Sequence, residues 1–194
     1  MILASKSPRR KELLTAQGFD FEIIVSDFDE STVTETDPEK LVLILAEMKG
    51  RAIAEKHPDE IVISADTVVA LDGVIFGKPK NEEDAFRMLR ALSGRKHTVF
   101  TGISVSFGGK TVTECEASDV YFRDLDDGEI LSYIKSGEPM DKAGAYGIQG
   151  RAAGFVSKID GDWASVVGLP VCRLVKIMKC GFGINPDSLR KCGI

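Results

Sequence analysis

The pattern of apolar and polar positions predicts strands and helices along almost the whole chain. The apolar run at 61–63 continues through 67–71 and returns at 74–76, and Asp72-Gly73 between them predicts a tight β-hairpin. Two longer runs at 97–107 and 111–122, separated by Gly108-Gly109, predict a second hairpin. Shorter runs at 1–4, 19–25 and 155–159 predict further strands.

Apolar residues at helical spacing predict five helices. Ser7-Pro8 and Thr36-Asp37-Pro38 combine an N-cap residue with a proline suited to the first helical turn, and Asn81 caps a third helix. Two more helices are predicted at 125–134 and after Leu169-Pro170. In the second helix we expect a buried stripe with Lys49 one position off it, where a lysine can reach solvent or a cleft; the stripe is Leu41, Leu45, Met48 and Ala52.

Composition and charge narrow the class of protein. The chain has 194 residues, 43% of them hydrophobic and 28% charged, which is typical of one soluble domain, with or without two lobes. A net charge of −5 argues against a duplex nucleic-acid partner, although a basic pocket can still bind a small anion. No apolar run approaches membrane-spanning length, so we expect no membrane partner.

The cysteines and histidines argue against two kinds of metal site. The four cysteines lie far apart with no CxxC pair, so we expect neither structural zinc nor a disulfide framework, but reduced, mostly buried thiols in a cytoplasmic protein. His57 and His97 are the only histidines, which excludes a multi-histidine site. We interpret His57 as a loop residue and His97 as structural.

Three stretches carry candidate chemistry. The first hairpin places Asp66 near one end and Lys78 after its return strand, a pairing that suits a metal-bound phosphate. Arg9 and Arg10 follow Ser7 in the first turn of a helix, where cations favour a bound anion. Each stretch also has an ordinary interpretation, in which Asp66 and Lys78 lie at the surface and the arginines meet solvent or carboxylates elsewhere.

Two more segments are ambiguous in the same way. The acidic loop 26–30 ends in Glu30, which can bind a metal or simply be solvated. The segment 138–150 is rich in Gly and Ala, so its backbone can approach a ligand closely, and Gln149 offers a donor and an acceptor for the edge of a base. The alternative is an ordinary glycine-rich connector.

Taken together, five segments resemble the Maf family of nucleoside triphosphate pyrophosphatases, also known as septum formation inhibitors. The resemblance runs from Leu3 to about Ile177, and its order and spacing are specific although each segment alone is weak. The segments are ASKSPRRKELL, SADTVVALDGVIFGKP, LSGRKHTVFTG, GEPMDKAGAYGIQG and VVGLP.

The resemblance implies a fold, a reaction and a cofactor. It implies one domain over 1–194 of the Maf and ITPase-like α/β class: a mixed, strongly curved β-sheet with flanking helices and two lobes around a deep cleft. It implies hydrolysis of a nucleoside triphosphate to the monophosphate and pyrophosphate with a divalent cation, Mg²⁺ or Mn²⁺, often by a homodimer. The segment KAGAYGIQG and the pair Asp66-Thr67 are similar to the branch that hydrolyses dTTP and UTP rather than 7-methyl-GTP.

The resemblance also implies roles for nine residues. Asp66 is similar to the general base, while Thr67, Arg9 and Gln149 match positions associated with substrate choice. The remaining matches are positions of the cleft: Ser7, Arg10, Glu30, Lys49 and Lys78. We expect Glu30 to join Asp66 at the metal, the four cations to offset phosphate charge, and Gln149 and Thr67 to face the pyrimidine. The sequence departs from the usual Maf residues at 162–165, DWAS, and we expect this to affect only the detail of that loop.

Two alternatives remain open from the sequence. The protein is either an enzyme that cleanses nucleotide pools, with a link to septum formation through its family, or a nucleotide-binding regulator of cell division without turnover. A third interpretation keeps the enzyme and moves its substrate towards modified nucleotides.

Overall fold

A computed structural model, in which residues 1–191 are described, has one seven-stranded mixed sheet as its framework. The strands are β1 (Ile2–Leu3), β2 (Glu22–Ile23), β3 (Val62–Leu71), β4 (Val74–Phe76), β5 (Lys96–Phe107), β6 (Lys110–Phe122) and β7 (Val156–Asp160). The sheet order is β2-β1-β3-β5-β6-β7, with β4 paired to β3; β1 runs parallel to β2 and β3, and the other pairs are antiparallel.

Six α-helices flank this sheet in the described part of the chain. They are α1 (Pro8–Ala16), α2 (Pro38–Ala54), α3 (Glu82–Leu92), α4 (Asp127–Ile134), α5 (Trp163–Val167) and α6 (Val171–Lys176), with a π-helical turn at Ile177–Gly181 after the last. The mixed α/β class with flanking helices is confirmed. The strong curvature of the sheet, the two lobes and the depth of the cleft stay predictions. No helix within residues 1–191 is long and apolar enough to cross a bilayer.

Local sequence signals account for most of the element boundaries. Asp72 and Gly73 adopt φ angles of 51° and 78°, the left-handed pair that the predicted β3–β4 hairpin requires. The side chains of Asp37 and Asn81 accept hydrogen bonds from the backbone N–H groups of the first turns of α2 and α3. Ser7 occupies the N-cap position of α1, but its side chain makes no capping hydrogen bond.

The predicted buried stripe of α2 is confirmed only at Leu45, because the helix is rotated by about one position. Met48 is 38% exposed and Leu41 only half-buried. Close backbone packing decides the face: a Cβ on Gly50 would lie 2.5 Å from Ser64 Oγ, so the small residues of α2 turn towards β3. The buried residues of the helix are Val42, Leu45, Ala46, Gly50 and Ile53. This rotation brings Lys49 onto the face towards the sheet.

Three other expectations are corrected. The strand expected at 19–25 is limited to Glu22–Ile23, since Phe19 instead bridges to Arg190. The last helix is preceded by the unpredicted α5 and ends in the π-helical turn. The thiols are not mostly buried: Cys172 and Cys180 are exposed and Cys115 is half-buried, all three free, while Cys192 lies outside the described residues.

Two large hydrophobic clusters pack along β3, beside a small third one that includes Val62. One contains Ile63 and Ala65 together with residues of α1, α6 and the π-helical turn, and the other contains Val69 and Leu71 together with residues of α3 and α4. The polar pair Asp66-Thr67 lies on β3 between the two clusters. The fold therefore holds this pair in the middle of a rigid strand, bonded on one side to β5.

Candidate active site

A cavity of about 710 Å³ opens beside β3, and all nine residues singled out from the sequence line it. They come from six places in the chain: the start of α1, the turn after β2, α2, β3, the loop after β4 and the segment before β7. The nine are Ser7, Arg9, Arg10, Glu30, Lys49, Asp66, Thr67, Lys78 and Gln149.

Asp66 and Glu30 share one ammonium group. Lys49 Nζ lies 2.6 Å from Asp66 Oδ1 and 2.9 Å from Glu30 Oε1. The Asp66 side chain is only 12% exposed, whereas the Glu30 side chain is 58% exposed. Glu30 starts a 3₁₀ turn capped by Asp29, which accepts a hydrogen bond from Ser31 N. The arrangement fixes two carboxylates, one buried and one accessible, around a common point.

These two carboxylates fit a hard divalent cation that takes its other ligands from substrate and water. Within residues 1–191 no group of three or more His, Cys, Asp or Glu side chains is placed to hold a metal. Mg²⁺ is usually bound through one or two carboxylates plus phosphate oxygens, and not by a full protein cage. A two-carboxylate site in a cavity with a cationic lining has the donor chemistry that Mg²⁺ or Mn²⁺ requires.

Arg10 reaches the floor of the cavity through neutral acceptors alone. Its Nε donates to the Gly168 carbonyl at 2.8 Å, and its two terminal nitrogens donate to Ser5 Oγ at 3.0 Å and Thr67 Oγ1 at 3.2 Å. Burial lowers the pKa of Arg10 from its ordinary value, an effect partly offset by Asp66. Among residues 1–191 these contacts use three of the five N–H hydrogens of the guanidinium, which leaves one on each terminal nitrogen to bind an anion.

The hydroxyl of Thr67 forms hydrogen bonds with two other side chains. It accepts from Arg10, and it lies 3.0 Å from Thr101 Oγ1, which itself donates to the Ser165 carbonyl at 2.8 Å. Because the single hydrogen of Thr101 goes to that carbonyl, Thr67 must donate to Thr101. Thr67 therefore contacts Arg10 instead of offering a free donor to a base.

Arg9 and Lys142 meet at an exposed carboxylate on the cavity wall. Asp141 lies 3.3 Å from Arg9 NH1 and 2.6 Å from Lys142 Nζ. Burial raises the pKa of Asp141, but the hydrogen bonds and charges of Lys142 and Arg9 outweigh it, so the pKa is lowered. Lys142 is a cavity cation that was not predicted, although it lies within the segment GEPMDKAGAYGIQG.

Lys78 and Gln149, like Glu30, are exposed members of the set. Lys78 lies in the loop after β4 and Gln149 in the loop that follows the Ala143–Ala145 turn. Neither side chain forms a hydrogen bond or ion pair with any other residue from 1 to 191. Both are thus available to a ligand in the cavity.

The cavity is positive although the chain is negative. Six cationic side chains and three carboxylates line it, a formal charge of +3 against −5 for the whole chain. A concave site with this balance favours a polyanion such as a triphosphate. The basic lining is Lys6, Arg9, Arg10, Lys49, Lys78 and Lys142, and the acidic lining is Glu30, Asp66 and Asp141.

Comparison with known proteins gives one consistent result. A family model described as Maf-like protein matches residues 1–180. Proteins from two strains of Bacillus cereus are each 50% identical over 179 residues, which cover 92% of this chain and 94% of theirs. A protein from Bacillus thuringiensis subsp. konkukian has the same identity and coverage. All three are named dTTP/UTP pyrophosphatase.

Proposed function

The chain belongs to the family of Maf-like proteins, and from this premise we propose that it is a nucleoside triphosphate pyrophosphatase that hydrolyses dTTP and UTP. The products are the nucleoside monophosphate and pyrophosphate. The observation that carries the proposal is the buried carboxylate of Asp66 inside a cavity whose other charges are mainly positive. Relatives that are 50% identical over most of the chain support the substrate. Removal of unwanted nucleotides is the corresponding role, and a link to septum formation rests on the family alone.

Asp66 is the general base of the proposed reaction. Lys49 donates a hydrogen bond to Oδ1, while Oδ2 has no donor among residues 1–191 and can take a proton from water. The water oxygen then forms a bond to phosphorus of the anhydride that joins nucleotide and pyrophosphate, and the pyrophosphate oxygen leaves. Asp66 and Glu30 would hold Mg²⁺ or Mn²⁺, which when bound offsets phosphate charge and makes a coordinated water more acidic.

The cations of the cavity bind the triphosphate. Arg10 presents its two remaining N–H groups in a fixed orientation, so it is suited to bidentate contact with one phosphate. Lys78 supplies a point charge on a flexible stem from the loop after β4, and Arg9 binds the anion that displaces Asp141. Gln149 faces the pyrimidine, while Thr67 acts through Arg10.

The decisive experiment measures pyrophosphate release by the purified protein with Mg²⁺ and six nucleotides: dTTP, UTP, CTP, dATP, GTP and 7-methyl-GTP. We expect multiple turnovers of dTTP and UTP, with the monophosphate as the other product. Activity confined to another nucleotide, including a modified one, would support the proposed pyrophosphatase reaction but contradict the proposed substrates. Tight binding without turnover would support the regulator of cell division instead. Sedimentation of the same sample tests the homodimer.

A further inference from the structure

The loop 147–151, here called the Gln149 loop, presents its central side chain without support from any other side chain among residues 1–191. Gln149 is exposed, lines the cavity and makes no side-chain hydrogen bond within that part of the chain. The backbone of the loop therefore sets the region of the cavity that its amide can reach. Whatever fixes the two ends of the loop also fixes the group that we propose to recognise the base.

Glu138 and Tyr133 hold both ends of this loop. Tyr133 OH accepts a hydrogen bond from Gly147 N at 3.2 Å and donates one to Glu138 Oε1 at 3.0 Å. The other oxygen, Glu138 Oε2, accepts from Arg151 N at 3.2 Å. One phenol and one carboxylate thus connect the first residue of the loop to the last.

The space beneath the loop is filled by the same carboxylate. A Cβ on Gly150 would overlap Glu138 Oε1 and lie 2.5 Å from its Cδ, so the backbone of the loop rests directly on Glu138. Tyr133 is 3% exposed and packs edge-to-face on Phe155 at a centroid distance of 5.2 Å. Burial, followed by the nearby charge of Glu138, raises the pKa of Tyr133 well above its ordinary value, so the phenol remains a donor.

We propose that Glu138 and Tyr133 are positioning residues that set the nucleotide selectivity of the cavity by fixing the Gln149 loop. This inference rests on the proposed function of the same site. A polar side chain discriminates between bases better when the backbone that carries it is held in place, because a mobile loop would let its amide pair with the wrong base as well. Neither residue needs to touch the nucleotide for this effect.

The test compares dTTP with CTP, whose base edges differ in donors and acceptors, in Tyr133→Phe and Glu138→Gln. Tyr133→Phe removes one oxygen and leaves Gly147 N–H and Glu138 Oε1 without their partner. We expect the ratio of kcat/KM for dTTP over CTP to fall at least about tenfold, the equivalent of one hydrogen bond, through a higher KM for dTTP. Glu138→Gln replaces one of the two acceptors by a donor and should shift the ratio in the same direction.

Tyr121→Phe is the matched control, since Tyr121 lies on β6 against Lys158 and contributes nothing to the Gln149 loop. It should leave the ratio unchanged. An unchanged ratio in both folded test variants, or an equal loss of kcat on both nucleotides, would overturn the inference.

Equilibrium dissociation constants for the two nucleotides, measured without metal, separate this inference from the proposed function. Wild-type protein without turnover would disprove the pyrophosphatase, whereas the dTTP-to-CTP ratio of Kd values still tests the loop. A dTTP preference that weakens in both variants supports the inference, and a preference equal to wild type overturns it.

Discussion

Replacing Thr67 by valine removes one hydroxyl from the cavity while preserving the shape of the side chain, and we expect it to slow hydrolysis of every nucleotide equally. The hydroxyl accepts from Arg10 at 3.2 Å and donates to Thr101. A hydrogen bond to a charged group contributes about 1.5–3 kcal/mol. Because this hydrogen bond is long, we expect its loss to cost about 1.5 kcal/mol of transition-state stabilisation through a misaligned Arg10. That free energy corresponds to about a tenfold lower kcat/KM.

The assay is kcat/KM for dTTP, UTP and CTP in Thr67→Val and in three comparison variants. Thr98→Val, on the same strand as Thr101 but bonded to Asp119 outside the cavity, should retain wild-type values. Arg10→Lys should lose more than Thr67→Val, and the double variant should lose no more than Arg10→Lys alone, because both changes disrupt one contact. Additive losses in the double variant would show that Thr67 does not act through Arg10. A changed order of preference among nucleotides would indicate instead that Thr67 contacts the pyrimidine.

Three further predictions concern the base, the buried histidine and the sheet. Gln149→Glu should alter the order of preference among nucleotides, and an equal loss on all of them would contradict its role. Burial lowers the pKa of His97 to about 4, so the unfolded chain binds a proton near pH 6.5 that the folded protein excludes, and the free energy of unfolding should fall by up to about 3 kcal/mol from pH 6.5 to 4. Urea titrations at pH 7 and pH 5 should show a smaller decrease in the free energy of unfolding for His97→Phe than for the wild type. An equal decrease in both proteins would show that His97 does not cause the pH dependence. Gly102→Ala should lower Tm strongly, since its Cβ would overlap the Val42 carbonyl, whereas Gly154→Ala, with open space, should change Tm little.

Turns and helix N-termini are the parts of the fold that the sequence predicts well. The turn at Asp72-Gly73 and the caps at Asp37 and Asn81 depend on neighbouring residues only, and all three are confirmed. The nine cavity residues could be named because a family resemblance supplied long-range information that no local pattern contains. Their roles stay predictions.

The rest depends on contacts between distant segments. The face of α2 follows the small residues that let it approach β3, so the larger apolar side chains of Leu41 and Met48 gave the wrong stripe. The commitment of Thr67 to Arg10 joins residues 57 positions apart and cannot be inferred from either alone. The hydrogen bonds of Glu138 likewise could not be predicted from the sequence, because they depend on how the Gln149 loop folds back over it.

We propose that Asp66 drives hydrolysis of a pyrimidine triphosphate to the monophosphate and pyrophosphate. The most direct test quantifies dTMP, dTDP, phosphate and pyrophosphate from dTTP and Mg²⁺ with the wild type and with Asp66→Asn, which is nearly isosteric. We predict equal amounts of dTMP and pyrophosphate from the wild type, and a kcat at least about a hundredfold lower in the folded variant. Release of dTDP and phosphate, or near-normal turnover by Asp66→Asn, would contradict the account.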